Sequence, residues 1–386
     1  MTSRRHVHVI TPGDHFSPRT GSAIPTVVHG LCGATPTGAP RPAVVVRRDT
    51  YPDRYDTADI IEYDGASEFP IRGGRARQYL DLGFGALGMP RPAVRHELAA
   101  AVRDQGAWEP SIVLAHNAPQ LVPVIDAGRH VPVLYAHNHV LRTYRTGEAR
   151  RVLDRVAAII CVSDALAEQT ASHLPPSLRR RIRVVHNGVD AAAFRRPAIG
   201  EEAGPLHVMF LGRMIPDKGA DVLVRAVERL DRPDIRLTLV GSRGFSAADP
   251  LTPYERDVRT VMARLGDRAE VRPFVPRSEV SRLLQRADVV VVPSRWPDPC
   301  PLTVLEGMAA GAAVIGSEIG GIPETLRGVG ILVRPGDPEE LAAAIAALAD
   351  DGDLRRRTSA ACAAYAEAHD WATAAAALTQ ALEGVV

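Results

Sequence analysis

Lysine is almost missing from this sequence. Of the 46 lysine and arginine residues, 45 are arginine, and the single lysine is Lys218. This chain uses arginine wherever a cation needs only to be solvated. A lone ammonium is a compact point charge rather than a planar fork, and it suits a position facing a phosphate; chance placement is the alternative until its neighbours are read. Aromatic residues are scarce too, at 5%, and the basic residues are dispersed, which together argue against nucleic-acid binding. The four cysteines, Cys32, Cys161, Cys300 and Cys362, form no Cys-x-x-Cys pair and no metal-ligand spacing. They read as the reduced thiols of a cytoplasmic protein. No apolar run approaches the roughly 20 residues that span a bilayer. The apolar stretch after Arg4 and Arg5, His6 to Ile10, is too short for a signal-peptide core. Peripheral contact with a membrane stays open.

At 386 residues, 46% hydrophobic and 24% charged, the chain has ordinary globular composition and a length suited to two domains. The net charge of +1 hides an asymmetry: residues 1–200 carry 25 arginines against 18 acidic residues, and the remainder 21 basic against 27 acidic. A basic half joined to an acidic half suggests lobes with different ligands, with scattered surface charge as the plainer account.

Short apolar runs alternate with amphipathic stretches along most of the chain. Strands are expected at His6–Ile10, 43–47, 60–63, 112–115, 131–135, 158–162 and 182–185, with helices at Ala23–Cys32, Pro92–Gln105, a helix begun by Ala118 and Pro119, Glu148–Val156 and Asp164–His173. Residues 68–92 are interrupted by glycine and proline and show no clear period. Asn187-Gly188-Val189-Asp190 reads as a turn, and 191–204 as a linker. A second alternating series follows, with strands at 208–212, 237–240, 271–274, 289–292, 313–315 and 331–333, and the last 50 residues read as alanine-rich helix. Continuous apolar strands alternating with helices indicate α/β domains with parallel, doubly wound sheets covered on both faces. The domain expectation is 1–190, a linker 191–204, 205–366, and a terminal helix in 367–386 that returns to the first domain.

Three stretches carry candidate chemistry. In the first, Val208 to Lys218, a buried strand runs into a turn holding Arg213 and Lys218 at the mouth of a helix. In the second, Pro293 to Gly316, Asp298 lies in the loop after a strand and Glu306 eight residues on, among Leu302, Leu305 and Met308. Ligands of doubly wound domains bind at the carboxyl ends of strands, and a carboxylate can accept from two vicinal hydroxyls at once. The alternative is a helix cap at Asp298 and a solvated Glu306. Gly320 and Gly321 then permit close backbone approach to a ligand. In the third, His116, His137 and His139 follow two candidate strands, with Arg142 shortly after. A histidine at a strand end is more often structural than catalytic, so His116, His139 and Arg142 are acceptor-side candidates only, with His137 left to the resemblance below. Gly21 and Ser22 stand at the mouth of the first helix, where backbone N–H groups can receive an anion.

The segments CVSDAL, VVHNGVD, FLGRMIPDKGADVLVRAV, LVGSRG, ADVVVVPS, DPCPLTVLEGMAAGAAVI and GGIPE, in that order and spacing, resemble the retaining nucleotide-sugar glycosyltransferases of the GT-B fold, usually numbered family four. The resemblance covers most of the chain and implies two Rossmann-like domains facing across a cleft. It implies that Arg213 and Lys218 hold the donor diphosphate, that Glu306 binds the ribose hydroxyls, and that Asp298 stands where the family has a glutamate contacting the donor sugar. Backbone near Pro301, Leu302 and Thr303 would touch sugar and phosphate. Gly21 and Ser22 fall on the family's paired glycines, and His137 on its active-site histidine. Ser22 replaces the second glycine, Asp298 is one methylene short, and Cys300-Pro301 replaces Phe-Gly. These departures bear on the sugar more than on the reaction. The implied function is transfer of a hexosyl group from a nucleoside diphosphate sugar to an acceptor hydroxyl of a small molecule or glycan. Configuration would be retained, with no cofactor and no metal. The one Asp-x-Asp pair, Asp351 and Asp353, lies far from these motifs. A 2-epimerase or phosphorylase on the same fold, or a non-catalytic nucleotide-sugar binder, are the alternatives.

Overall fold

The computed structural model describes residues 4–197 and 204–385, so 198–203 of the expected linker lie outside the described residues. The chain divides into two compact units. The first holds residues 4–18, Ser22–Asn187 and 371–385; the second holds Arg19–Gly21 and Gly188–Asp370 apart from 198–203. Within 191–204, residues Ala191–Phe194 form a helical turn of the second unit rather than open linker.

The first unit is built on seven parallel strands: β1 (Arg5–Val9), β2 (Ala43–Arg47), β3 (Asp59–Tyr63), β4 (Ser111–His116), β5 (Val131–Ala136), β6 (Ala158–Cys161) and β7 (Ile182–Val184). Their order is β3-β2-β1-β4-β5-β6-β7. The second has six: β8 (Leu206–Leu211), β9 (Ile235–Val240), β10 (Ala269–Arg272), β11 (Val289–Val292), β12 (Ala313–Ser317) and β13 (Ile331–Val333), ordered β10-β9-β8-β11-β12-β13. Every pairing is parallel, for example His8 with Leu114 and Val289 with Val208. In each sheet the strand order reverses beside the first strand, between β1 and β4 and between β8 and β11. That reversal opens a crevice at the strands' carboxyl ends where loops leave in opposite directions.

The apolar runs explain why these strands lie inside. Along β8, Val208 and Phe210 join one buried cluster while Met209 joins another on the opposite face. Val289 and Val291 alternate with Val290 and Val292 in the same way. Both faces are thus covered by helices, as period-2 side-chain geometry requires of a sheet without a wet side. Helix Ala220–Leu230 buries Ala220, Val222, Leu223, Val224, Ala226 and Val227 against this sheet, with Asp221 in its first turn and Arg229 in its last.

The structure departs from the sequence reading in particular places. Residues 68–92 contain helix Gly74–Ala86, whose buried Asp81 accepts from the N–H groups of Ala93 (2.8 Å) and Val94 (3.1 Å) and so caps the following helix. That helix ends at Ala101, short of Gln105. The helix expected from Pro119 is a 3-10 turn, Pro119–Val124, broken by Pro123. The terminal helix Trp371–Leu382 groups with the first unit and buries Ala374, Leu378 and Leu382, so its inward stripe runs through Ala374 rather than Ala375. A Cβ on Gly30 would stand 2.2 Å from the Trp371 ring, so the first helix lies against it with no room for a side chain. Asp351 accepts from the Leu354 N–H at 2.8 Å and caps a helix, and Asp353 pairs with Arg356.

Candidate active site

In the second unit the turn after β8 and the loop after β11 meet at the sheet's reversal point. Residues Pro216–Lys218 form one 3-10 turn, and Gly219 follows with φ +69°. A Cβ there would stand 1.9 Å from the Pro293 carbonyl oxygen, so only glycine lets the turn lie flat on the loop. The Asp217 carbonyl accepts from the N–H groups of Arg295 (2.8 Å) and Trp296 (3.3 Å), lacing turn to loop. Arg295 reaches Asp221 at 2.6 Å, and Tyr254 donates to the same carboxylate at 2.8 Å. Gly320 closes the other side: a Cβ on it would meet the Asp298 backbone oxygen at 2.4 Å, and Gly321 N–H donates to that oxygen at 2.9 Å. The result is that Lys218 and Asp298, 80 positions apart, are held as a half-buried ion pair.

Glu306 lies in helix Leu302–Ala309 and is 3% exposed, which removes the solvated alternative. A buried carboxylate needs a compensating charge. Arg277 supplies it, with its guanidinium 2.5 Å from Glu306 and over the Phe194 ring at 5.5 Å. Pro301 precedes the helix, and Leu302 and Thr303 open it. Their N–H groups precede the first intrahelical bond, from Val304 to the Pro301 carbonyl at 3.1 Å. Such a helix start attracts an anion. Thr303 Oγ1 bonds the Leu211 carbonyl at 3.4 Å, tying the helix start to the end of β8. Arg213 is exposed, between the end of β8 and the 3-10 turn that carries Lys218, and its guanidinium has no ion-pair partner among the described residues.

In the first unit, His116 ends β4 and His137 follows β5. Both are buried, and His116 Nδ1 lies 2.8 Å from His137 Nε2. His8, on β1, extends the row, its Nδ1 2.9 Å from His116 Nε2. Burial holds His137 neutral, its pKa pulled down to about 3. His8 is likewise pulled down to about 3, by burial first and then by the nearby His6 and His137. His116 is lowered well below the ordinary value, again chiefly by burial. Asn117, in left-handed backbone at φ 53°, accepts through Oδ1 from the His137 N–H (2.7 Å) and the Asn138 N–H (3.2 Å). A cavity of about 340 Å³ opens beside His116, lined also by Thr11, Arg91, Glu97, Asn117 and Tyr144. Arg91 is fully engaged there, paired with buried Glu148 at 2.7 Å, bonded to Thr143 and stacked over Tyr144 at 3.8 Å.

Residues 205–351 match the family model described as Glycosyl transferases group 1, and residues 44–193 match that of Glycosyltransferase Family 4. The chain belongs to the family-four, group 1 glycosyltransferases. D-inositol 3-phosphate glycosyltransferase from Streptomyces scabiei is 33% identical over 247 residues, covering 58% of this chain and 54% of that protein. Glycogen synthase from Mycobacterium tuberculosis is 29% identical over 296 residues, covering 71% and 69%. The chain spans about half the length of the D-inositol 3-phosphate glycosyltransferases it matches. Among solved structures, HepE from Anabaena in complex with UDP and glucose superposes with TM-score 0.72 at 18% identity, covering 99% of this chain and 100% of that one. Sucrose-phosphate synthase from Thermosynechococcus elongatus gives 0.72 at 19%, covering 98% of each. The fold is GT-B, two parallel-sheet α/β domains.

Within each unit the structure brings several sequence-selected residues together. Lys218 meets Asp298, while Arg213 lies exposed just after β8 and, among the described residues, makes no contact with either. Pro301, Leu302 and Thr303 form the start of the helix that carries Glu306. His116 meets His137. His139 does not join them; it turns its half-buried ring toward His173, at 4.9 Å. Arg142 is exposed. Gly21 is exposed, and Ser22 precedes the first helix in extended backbone without a side-chain cap bond, its carbonyl accepting from Thr26 at 3.1 Å. Sequence reasoning missed His8 and Arg277. A histidine inside a buried apolar strand is itself a signal, because it needs a polar partner. Nothing in the sequence links Arg277 to Glu306.

Proposed function

We propose that this chain transfers a hexosyl group from a nucleoside diphosphate sugar to an acceptor hydroxyl, with retention of configuration. The observation that carries the reading is the only lysine, paired with Asp298 on the loop that leads into helix Leu302–Ala309, at the reversal point of the second sheet. Breaking the glycosidic bond puts negative charge on the departing diphosphate and positive charge on the anomeric carbon. Lys218 and Arg213 stabilise the first, aided by the N–H groups of Leu302 and Thr303. Glu306 accepts from the ribose hydroxyls, and Asp298 from hydroxyls of the sugar being moved. The acceptor enters the cavity beside His116, and His137 is a catalytic residue. The departing phosphate takes the acceptor's proton, so no metal and no cofactor enters the scheme. The neighbouring HepE structure holds UDP and glucose, which makes uridine diphosphate sugars the first donors to test.

A thermal-shift screen of nucleoside diphosphate sugars identifies the donor, because a ligand of the folded state alone raises the melting midpoint. Product analysis with donor alone, with water, with orthophosphate and with hydroxyl acceptors then separates transfer from epimerisation and phosphorolysis. Nucleoside diphosphate release that depends on a hydroxyl acceptor is the expected result. Donor binding without turnover under all four conditions contradicts the reading.

A further inference from the structure

His8, His116 and His137 stand on or just after three adjacent strands, β1, β4 and β5, and bond ring to ring at 2.9 Å and 2.8 Å. The rings of His116, Tyr135 and His137 also stack, with centroids 4.7–5.1 Å apart. A neutral imidazole has one N–H and one lone pair. His116 uses both nitrogens within the row, so it donates at one and accepts at the other. Only two arrangements satisfy both bonds: every N–H points toward His8, or every N–H points toward His137. In the first, His137 Nδ1 is a lone pair ready to accept; in the second it is an N–H ready to donate. The choice at His137 is thus tied to the choice at His8, two rings away.

We infer that the three imidazoles act as one tautomer-coupled unit, in which His116 and His8 are positioning residues that set whether His137 Nδ1 donates or accepts toward a bound sugar or acceptor hydroxyl. Asn117 holds the backbone at His137 and Asn138, and the bond to His116 and the stack on Tyr135 hold the ring, so its remaining freedom is its tautomer. A side chain that must meet a hydroxyl on one face gains directionality when its second nitrogen is committed, as with oriented histidines elsewhere. The consequence for turnover rests on the proposed role of His137; the coupling itself does not, and it can be read without substrate.

The test labels the 386-residue chain with 15N-histidine and reads ring-nitrogen shifts by long-range 1H–15N correlation. The wild type should show opposite nitrogen types at the two partners of each bond, His116 Nδ1 with His137 Nε2 and His8 Nδ1 with His116 Nε2. His8→Phe should shift the tautomer populations of both His116 and His137. It should leave nucleoside diphosphate affinity unchanged and lower kcat about 3- to 10-fold, the loss expected on removing one neutral hydrogen bond. His8→Gln, which keeps a donor and an acceptor, should restore the wild-type pattern and guards against a folding defect in the phenylalanine variant. A folded His8→Phe protein whose His137 tautomer matches wild type overturns the coupling. A shifted tautomer with unchanged kcat upholds the coupling and removes His137 from the reaction.

Discussion

Asp298→Asn makes the sharpest use of the site's geometry. In the free protein Lys218 is neutralised by Asp298, with side-chain exposures of 26% and 14%. A diphosphate that needs Lys218 must first displace the carboxylate. A hydrogen bond to a charged group contributes about 1.5–3 kcal/mol when buried, and partial exposure screens this pair toward about 1–2 kcal/mol. Removing the competitor should therefore tighten binding of the nucleoside diphosphate alone about 5- to 30-fold, at 1.4 kcal/mol per factor of ten. The intact donor gains the same freed lysine but loses the contact from Asp298 to its sugar, so its affinity should change little. The preference for donor over nucleoside diphosphate should collapse by about tenfold. Isothermal titration of both ligands at fixed ionic strength reads each quantity. Glu306→Gln serves as the contrast: its proposed contact is to ribose, so both ligands should weaken alike. If Asp298→Asn weakens the nucleoside diphosphate, the ion pair is not a competitor and the division of roles fails.

Stability should fall on acidification. Burial pulls His8 and His137 down to about 3 and lowers His116 as well, while the unfolded chain takes up these protons near the ordinary histidine value of 6.5. Their contribution is therefore complete above about 6.5 and is lost below it at about 1.4 kcal/mol per pH unit per histidine. An unchanged thermal midpoint between pH 7.5 and pH 5 contradicts this. Gly30→Leu should force Trp371 from its seat, because the Cβ alone would lie 2.2 Å from the ring. Overpacking of this kind costs about 1–3 kcal/mol, visible as a lower melting midpoint and altered near-ultraviolet circular dichroism; a wild-type midpoint would place that helix elsewhere. Transfer should also persist in excess chelator, and a chelator-sensitive rate restored by Mg²⁺ or Mn²⁺ would require a metal in the reaction.

Much of the fold is legible because period and punctuation agree. Val289 to Val292 can only be an interior strand, and the Gly219 turn follows from strand, tight turn and amphipathic helix in succession. Edges were harder. Pro123 converts a helix into a 3-10 turn, and the Asp81 cap lies in a stretch whose glycines and prolines hide its period. At the site, Lys218 stood out by composition and Glu306 by its apolar neighbours. Asp298 stood out too, but the pairings did not, because joining Lys218 to Asp298 depends on Gly219 and Gly320 allowing two loops to touch, and joining Glu306 to Arg277 depends on packing between helices. Local patterns mark where a residue sits on its own element. What faces it from another element is settled by packing.

The central claim is that Lys218 stabilises charge on a departing diphosphate. Its most direct test is the turnover of Lys218→Ala at saturating donor and acceptor, followed by nucleoside diphosphate release. Loss of one preorganised charge stabiliser should lower kcat about a hundredfold or more. Lys218→Arg should recover only part of it, since the guanidinium is larger and planar. Turnover of the alanine variant within a few-fold of wild type would contradict the account.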